Sequence, residues 1–127
     1  IDSELAAMLS ERFAENQRVT VAVGDATQLA FPDDRFTGAA SFTMLHHIDT
    51  ETLQDRLFAE VARVLKPTGV FVAGDSLASA ELAAHHEDDT YNPIDPTSLV
   101  DRLHGAGFVA AQVKTNEYGW AAVARKP

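Results

Sequence analysis

The sequence predicts an α/β domain built on a mainly parallel sheet. Short apolar runs at 18–23, 36–42 and 70–73 each stop at small or polar residues, as buried strands do. A helical pattern at 50–65 lies between two of those runs, which is the β-α-β order of a parallel sheet. The last two runs, 108–114 and 118–125, are separated only by Thr115-Asn116-Glu117, so they form an antiparallel hairpin.

The elements follow in the order α-β-β-α-β-α-β-β. Asp2 or Ser3 caps a first helix through residue 16, in which Leu5, Leu9 and Phe13 fall four apart with Met8 beside them. Arg18–Val23 reads as a short, valine-rich strand that stops at Gly24-Asp25-Ala26. Thr27–Leu29 suits a helical turn, and Phe31-Pro32-Asp33-Asp34 a loop. Phe36–Phe42 is small and apolar, the composition of a fully buried strand. In the helix at 50–65, Leu53, Leu57, Val61, Val64 and Leu65 trace one face with Phe58 at its margin. Glu51, Asp55, Arg56 and Arg63 fall elsewhere and can stay in water. Lys66 complements the helix dipole and Pro67 ends the helix. Gly69 permits the turn into a second buried strand, Val70–Ala73, which stops at Gly74-Asp75-Ser76. Residues 76–95, including "HHEDDTYNPIDP", read as a loop or partly helical lid. Pro96 takes the first position of a helix to His104, which Gly105-Ala106-Gly107 stops before the hairpin.

The 127 residues suit one domain or part of one, and a chain of this length buries roughly two-thirds of its unfolded surface. A hydrophobic fraction of 46% and a charged fraction of 23% are ordinary globular values. The net charge of −9, from 19 acidic against 10 basic residues, argues against nucleic acid and anionic membrane surfaces as partners. No cysteine is present, which removes disulfides, thiolate metal sites and cysteine nucleophiles and fits a cytoplasmic protein. No apolar run approaches the ~18 residues of a membrane span, and no signal peptide is visible. The first residue is Ile1 rather than Met, so the chain is expected to be processed, truncated or internal to a longer one.

Four stretches taken together resemble one family: "VGDATQLAFPDDRF", "SFTMLHHI", "EVARVLKPTGVFV", and "LHGAGF" followed by two strands. In order and spacing they are similar to the second part of the class I S-adenosylmethionine (SAM)-dependent methyltransferases, in their small-molecule type 11 branch. The resemblance covers nearly the whole chain and implies a partial Rossmann-like sheet. Thr68 stands where the family usually has glycine and Thr37 where it usually has aspartate; both look tolerable, since Gly69 and the apolar run are kept. The family's first strand, its glycine-rich loop and most of its second strand would precede Ile1, as would the acidic residue that binds the ribose. Asp2 is read as a helix cap rather than that ligand. The resemblance pairs the strand at 18–23 with the second strand and the strand at 36–42 with the first. Their absence would leave a gap of two strands, each about 4.8 Å wide. Unpaired backbone is costly, so the chain is expected to borrow strands from another copy, to close the gap by repacking or, as the natural state, to be joined to an upstream part; for this chain alone a homodimer through exposed sheet edges is expected, with weak or no SAM binding.

The resemblance also implies site residues. Asp25 would accept from the adenine amino group and the Ala26 N–H would reach a ring nitrogen, unless Asp25 simply caps a Gly-Asp turn. Leu29 and Phe31 would wall the adenine or belong to the core. Ser41, Phe42, Thr43 and Met44 would lie near the methionine part of SAM and the transferred methyl, Met44 on the substrate side; packing is an equal reading for Phe42 and Met44. His46 and His47 are candidate general bases, but the family carries "LHH" across different substrates, which favours a structural role. Asp75 would face substrate or cap the following turn. Tyr91, with Asn92 and Pro93, would touch substrate or lie in a surface loop. No metal is expected: His85 and His86 are adjacent and point apart, and no H-x-x-x-H spacing occurs. The expected activity is in-line transfer of a methyl group from SAM to a small molecule, leaving S-adenosylhomocysteine, in the complete domain. The competing readings are a non-catalytic α/β remnant that dimerises or binds a partner and, further off, a metal hydrolase using the histidine pairs.

Overall fold

The computed structural model describes residues 3–86 and 89–127. The proposed role of Asp2 lies outside them. A four-stranded sheet in the order β1-β2-β4-β3 forms the centre. β1 (Phe36–Phe42) runs parallel to β2 (Leu65–Ser76), with Gly38 opposite Val70 and Phe42 opposite Gly74. β4 (Gly119–Arg125) inserts antiparallel between β2 and β3 (Ala110–Thr115). Three strands therefore point one way and β4 alone runs against them, as the short link requires, which is Asn116-Glu117-Tyr118 rather than Thr115-Asn116-Glu117.

Helix α2 (Glu51–Val64) covers one face of this sheet with α4 (Leu99–Gly105). Its apolar stripe meets the core as expected: Leu57, Phe58, Val61 and Val64 are buried, and Thr50 caps it by accepting from the Leu53 N–H at 3.2 Å. Phe71, Ala73, Trp120, Ala122 and Ala124 supply the facing side of the sheet, and Leu99, Leu103 and Phe108 close the core. The alternation of β4 places Ala121, Val123 and Arg125 on the opposite, exposed face. No helix among the described residues is long and apolar enough to cross a membrane.

Several expectations change. Arg18–Val23 forms no strand; Val19 and Val23 are 38% and 55% exposed. A strand is held by its ladder, and no strand among the described residues lies beside this one. Phe36–Phe42 is a strand but not fully buried, because β1 is an edge strand with one uncovered face. The same open face leaves Val72 of the second expected buried strand 37% exposed. Helix α1 (Ser3–Arg12) is shorter than expected and continues only as turns to Asn16. Pro96 lies in a turn before α4 rather than at its first position. There the Asp95 carboxylate accepts from the Thr97 N–H and hydroxyl, closing that turn first.

The link from α2 into β2 differs too. Leu65 already pairs with Phe36, and Lys66–Gly69 then bulge out before Val70 resumes pairing. The left-handed residue of this excursion is Thr68, at φ 65°, not Gly69. Gly69 is needed for space instead: a Cβ there would come within 2.8 Å of the Lys66 carbonyl oxygen. Arg63 and Asp55 do not simply stay in water either. Asp55 accepts from Arg102 Nε at 2.6 Å, and Arg63 organises the loop described below.

Candidate functional site

Parallel pairing brings the carboxyl ends of β1 and β2 side by side, where the Thr43 N–H donates to the Gly74 carbonyl at 2.9 Å. Thr43 itself is held at φ 50°, a left-handed conformation that a β-branched residue rarely adopts. The chain then turns through a short 3-10 segment, Leu45–His47. Leu45 is fully buried and anchors that segment in the core. Met44 packs against the core at its edge, while Phe42 is 60% exposed beside it.

Asp75 ties the two strand ends together. One carboxylate oxygen accepts from His46 Nδ1 at 2.6 Å and from the Ser76 N–H at 2.8 Å. The other accepts from the His46 backbone N–H at 3.1 Å. Its side chain is only 2% exposed, so this carboxylate acts inward, on His46 and its own turn. His47 pairs through Nδ1 with Asp89 at 3.0 Å and sits half in solvent. Tyr91 joins the same cluster. Its ring stacks on His86 at 4.9 Å, meets His46 edge-on at 6.0 Å, and its hydroxyl accepts from the Ser79 N–H.

Two residues fix this geometry: Gln54, which sequence reasoning passed over, and Asn92, which it placed beside Tyr91 without this role. Gln54 is 1% exposed on α2, and its amide donates to the carbonyls of Leu45 and Asn92. Asn92 in turn donates to the carbonyls of His46 and Ile48. A polar residue on the otherwise apolar face of α2 was the available signal for Gln54.

Asp25, Ala26 and Leu29 lie on a separate loop. Asp25 accepts from both the Thr27 N–H and hydroxyl at 2.8 Å, the Gly-Asp turn that formed one of its two readings. First the Thr27 backbone bond and then its hydroxyl hold this exposed carboxyl below the usual carboxylate range. Ala26 packs against the core and Leu29 is half-buried. The loop is fastened to α2 by Glu60, which accepts from the Leu29 N–H, and by Arg63, which donates to the Leu29 and Phe31 carbonyls. Arg63 also pairs with Glu60 and Asp33. Its bond lowers the Glu60 carboxyl pKa, while Glu60 and then Asp33 raise that of the guanidinium.

Between the β1–β2 ends and the β3–β4 hairpin lies an open cavity of about 420 Å³, bordered by Phe42, Thr43, Asp75, Asn116, Tyr118 and Trp120. Trp120 Nε1 is buried there without a hydrogen-bond partner among the described residues, as is Ser41 Oγ on β1. Gly119 is required at this border, since a Cβ would come within 2.5 Å of the Asp75 carbonyl oxygen.

The family described as "methyltransferase domain" matches residues 1–73, which include the Asp25 loop, β1 and the 3-10 segment. This chain belongs to that methyltransferase family. Its fold agrees with solved structures. It is similar to a protein of Bordetella parapertussis described as a "possible exported protein" at TM-score 0.78 and 15% identity, covering 99% of this chain and 51% of that one. It is similar to a SAM-dependent methyltransferase of Methanosarcina mazei at TM-score 0.71 and 21% identity, covering 99% and 79%. A phosphoethanolamine N-methyltransferase of Haemonchus contortus, solved with S-adenosyl-L-methionine, matches at TM-score 0.75 and 18% identity, covering 92% and 40%. The methyltransferase chain thus spans about half the length of the first of these. No curated protein sequence matches it.

Proposed function

We propose that the methyltransferase domain containing this chain binds SAM across the Asp25 loop and the end of β1, and methylates a small molecule. The observation that carries this reading is the family match over residues 1–73, which spans both segments. The residues present suit the cofactor's chemistry. Asp25 Oδ2 makes no hydrogen bond among the described residues and is free to accept from an adenine amino group. Leu29 and the 41% exposed Phe31 offer apolar surface to a flat ring. Phe42, Thr43 and Met44 would shape the methyl-bearing end, and the cavity toward Tyr118 and Trp120 would take the acceptor.

When bound, SAM supplies a methyl carbon already activated by a sulfonium. The acceptor's lone pair forms the new bond as the carbon–sulfur bond breaks, leaving S-adenosylhomocysteine. The protein's part is alignment and exclusion of water. Fixing Thr43 against Gly74, and the 3-10 segment against Asp75 and Gln54, would hold that alignment. His46 and His47 each have Nδ1 bonded to a carboxylate, which orients both rings and serves a structural link and a general base acting through Nε2 alike. Asp75 belongs with them, and Tyr91 borders the same cluster. This reading places the protein in the cytoplasm.

A second reading is supported by the uncovered edge of β1 and the exposed Phe42, Val72 and Val123: self-association of the chain as a homodimer. Calorimetric titration of SAM and S-adenosylhomocysteine into the full-length protein tests the first reading. Binding that Asp25→Ala weakens is expected. Affinity unchanged in Asp25→Ala would remove the adenine assignment.

A further inference from the structure

Three imidazoles from two distant segments meet above the sheet. His46 and His47 lie on the 3-10 segment after β1, and His86 caps the carboxyl end of α3 (Ala80–His85). One ring nitrogen of each lies within 4.8 Å of those of the other two. The ring centres are 4.2 Å apart for His46 and His47, and 5.1 Å from each of these to His86.

What distinguishes this cluster from ordinary aromatic packing is the state of the other nitrogens. His46 Nδ1 bonds the Asp75 carboxylate at 2.6 Å, His47 Nδ1 bonds Asp89 at 3.0 Å, and His86 Nδ1 bonds the Leu82 carbonyl at 2.6 Å. A carboxylate or a carbonyl can only accept, so each Nδ1 carries a proton, and in the neutral ring the lone pair is then on Nε2. Metal-bound histidines are oriented in this way, with the second nitrogen donating to a carboxylate or backbone carbonyl. Three neutral imidazole nitrogens suit zinc and its neighbours rather than magnesium or calcium.

We propose that His46, His47 and His86 hold a zinc(II) ion through Nε2, with a fourth position open to water or another ligand. Tetrahedral zinc–nitrogen bonds of about 2.0–2.1 Å bring ligand nitrogens to about 3.3 Å from one another, so the three rings draw together on binding. His46 is buried and fixed by Asp75. His47 is exposed and His86 ends a short helix, so these two supply the movement. The ion then pins the end of α3 to the strand ends. The sequence argument set both histidine pairs together and turned against a metal because His85 and His86 point apart. The fold takes both members of the first pair and one of the second. His85 stays outside, exposed and bonded to the Glu81 carbonyl. This inference does not depend on methyl transfer.

The test is zinc titration of the chelator-stripped full chain by calorimetry, with cobalt(II) substitution read by visible absorption. One equivalent is expected to bind, with tetrahedral cobalt bands. His47→Ala and His86→Ala, both away from the core, are each expected to weaken zinc by at least about a hundredfold, beyond the loss typical of outer-sphere changes. His85→Ala is expected to bind as the parent does, and circular dichroism confirms that each variant is folded. No zinc bound by the parent, or the same loss in His85→Ala as in His86→Ala, overturns the proposal.

Discussion

Replacing Asp75 by asparagine tests whether this carboxylate holds the end of β1 to the end of β2. Three donors converge on its two oxygens: the His46 backbone N–H, His46 Nδ1–H and the Ser76 N–H. Asparagine keeps the shape but has a single acceptor. If its oxygen serves His46 Nδ1 and Ser76, its amide nitrogen faces the His46 N–H. Turned over, it faces the Ser76 N–H and drives the imidazole to its other tautomer. Either way one backbone donor is orphaned in a side-chain environment 2% exposed, and a bond to a charged acceptor, worth about 1.5–3 kcal/mol, is lost. The expected cost is about 2–3 kcal/mol. Urea unfolding followed by the single tryptophan, Trp120, which is 4% exposed, reads this as a lower midpoint at unchanged slope. A change of less than about 0.5 kcal/mol, within the ordinary scatter of surface substitutions, would refute the positioning role.

Thr68→Gly is expected to stabilise the protein by about 1 kcal/mol, because glycine removes the cost of a β-branched residue at φ 65° and leaves the backbone bonds of Thr68 intact; thermal melts check it. Arg63→Met releases the loop at 29–33 from α2 and is expected to lower the urea midpoint more than Arg56→Met does. Glu60 has a folded pKa below its ordinary 4.5, so its contribution is fully present above that value and lost as the pH falls through the folded pKa. Glu60→Gln should therefore lose stability at neutral pH and converge on the parent in acid, measured by urea midpoints across pH. Since Asp75 orients His46, Asp75→Asn should also weaken zinc about 10–100-fold in the same titration used for the histidine variants.

Local pattern made α2 and the final hairpin legible. The 3.6-residue stripe of Leu57, Phe58, Val61 and Val64 points to one face wherever it is placed, and a three-residue link leaves two strands no other arrangement. Arg18–Val23 shows the limit: its composition suits a strand, but a strand exists only where a neighbour accepts its ladder. Phe36–Phe42 carries the composition of a buried strand at a position on the edge of the sheet. At the site, chain-local features were readable, such as the Asp25 turn and the strand ends at Thr43 and Asp75. Long-range features were not. Neither the Gln54–Asn92 link nor the meeting of His46 with His86 has a spacing signature, because tertiary folding alone brings those residues together. Thr68 is instructive in another way: the glycine beside it looked sufficient for the turn, yet the backbone places the left-handed residue one position earlier.

The most direct measurement is an amide chemical-shift titration of the full-length protein with S-adenosylhomocysteine, which locates binding on residues 1–127. The expected shifts fall at Ala26–Leu29 and Phe42–Met44, the two segments assigned to the nucleoside and the methyl-bearing end. Shifts confined to other parts of the chain, or no shifts at saturating ligand, would contradict a cofactor site at the carboxyl ends of these strands.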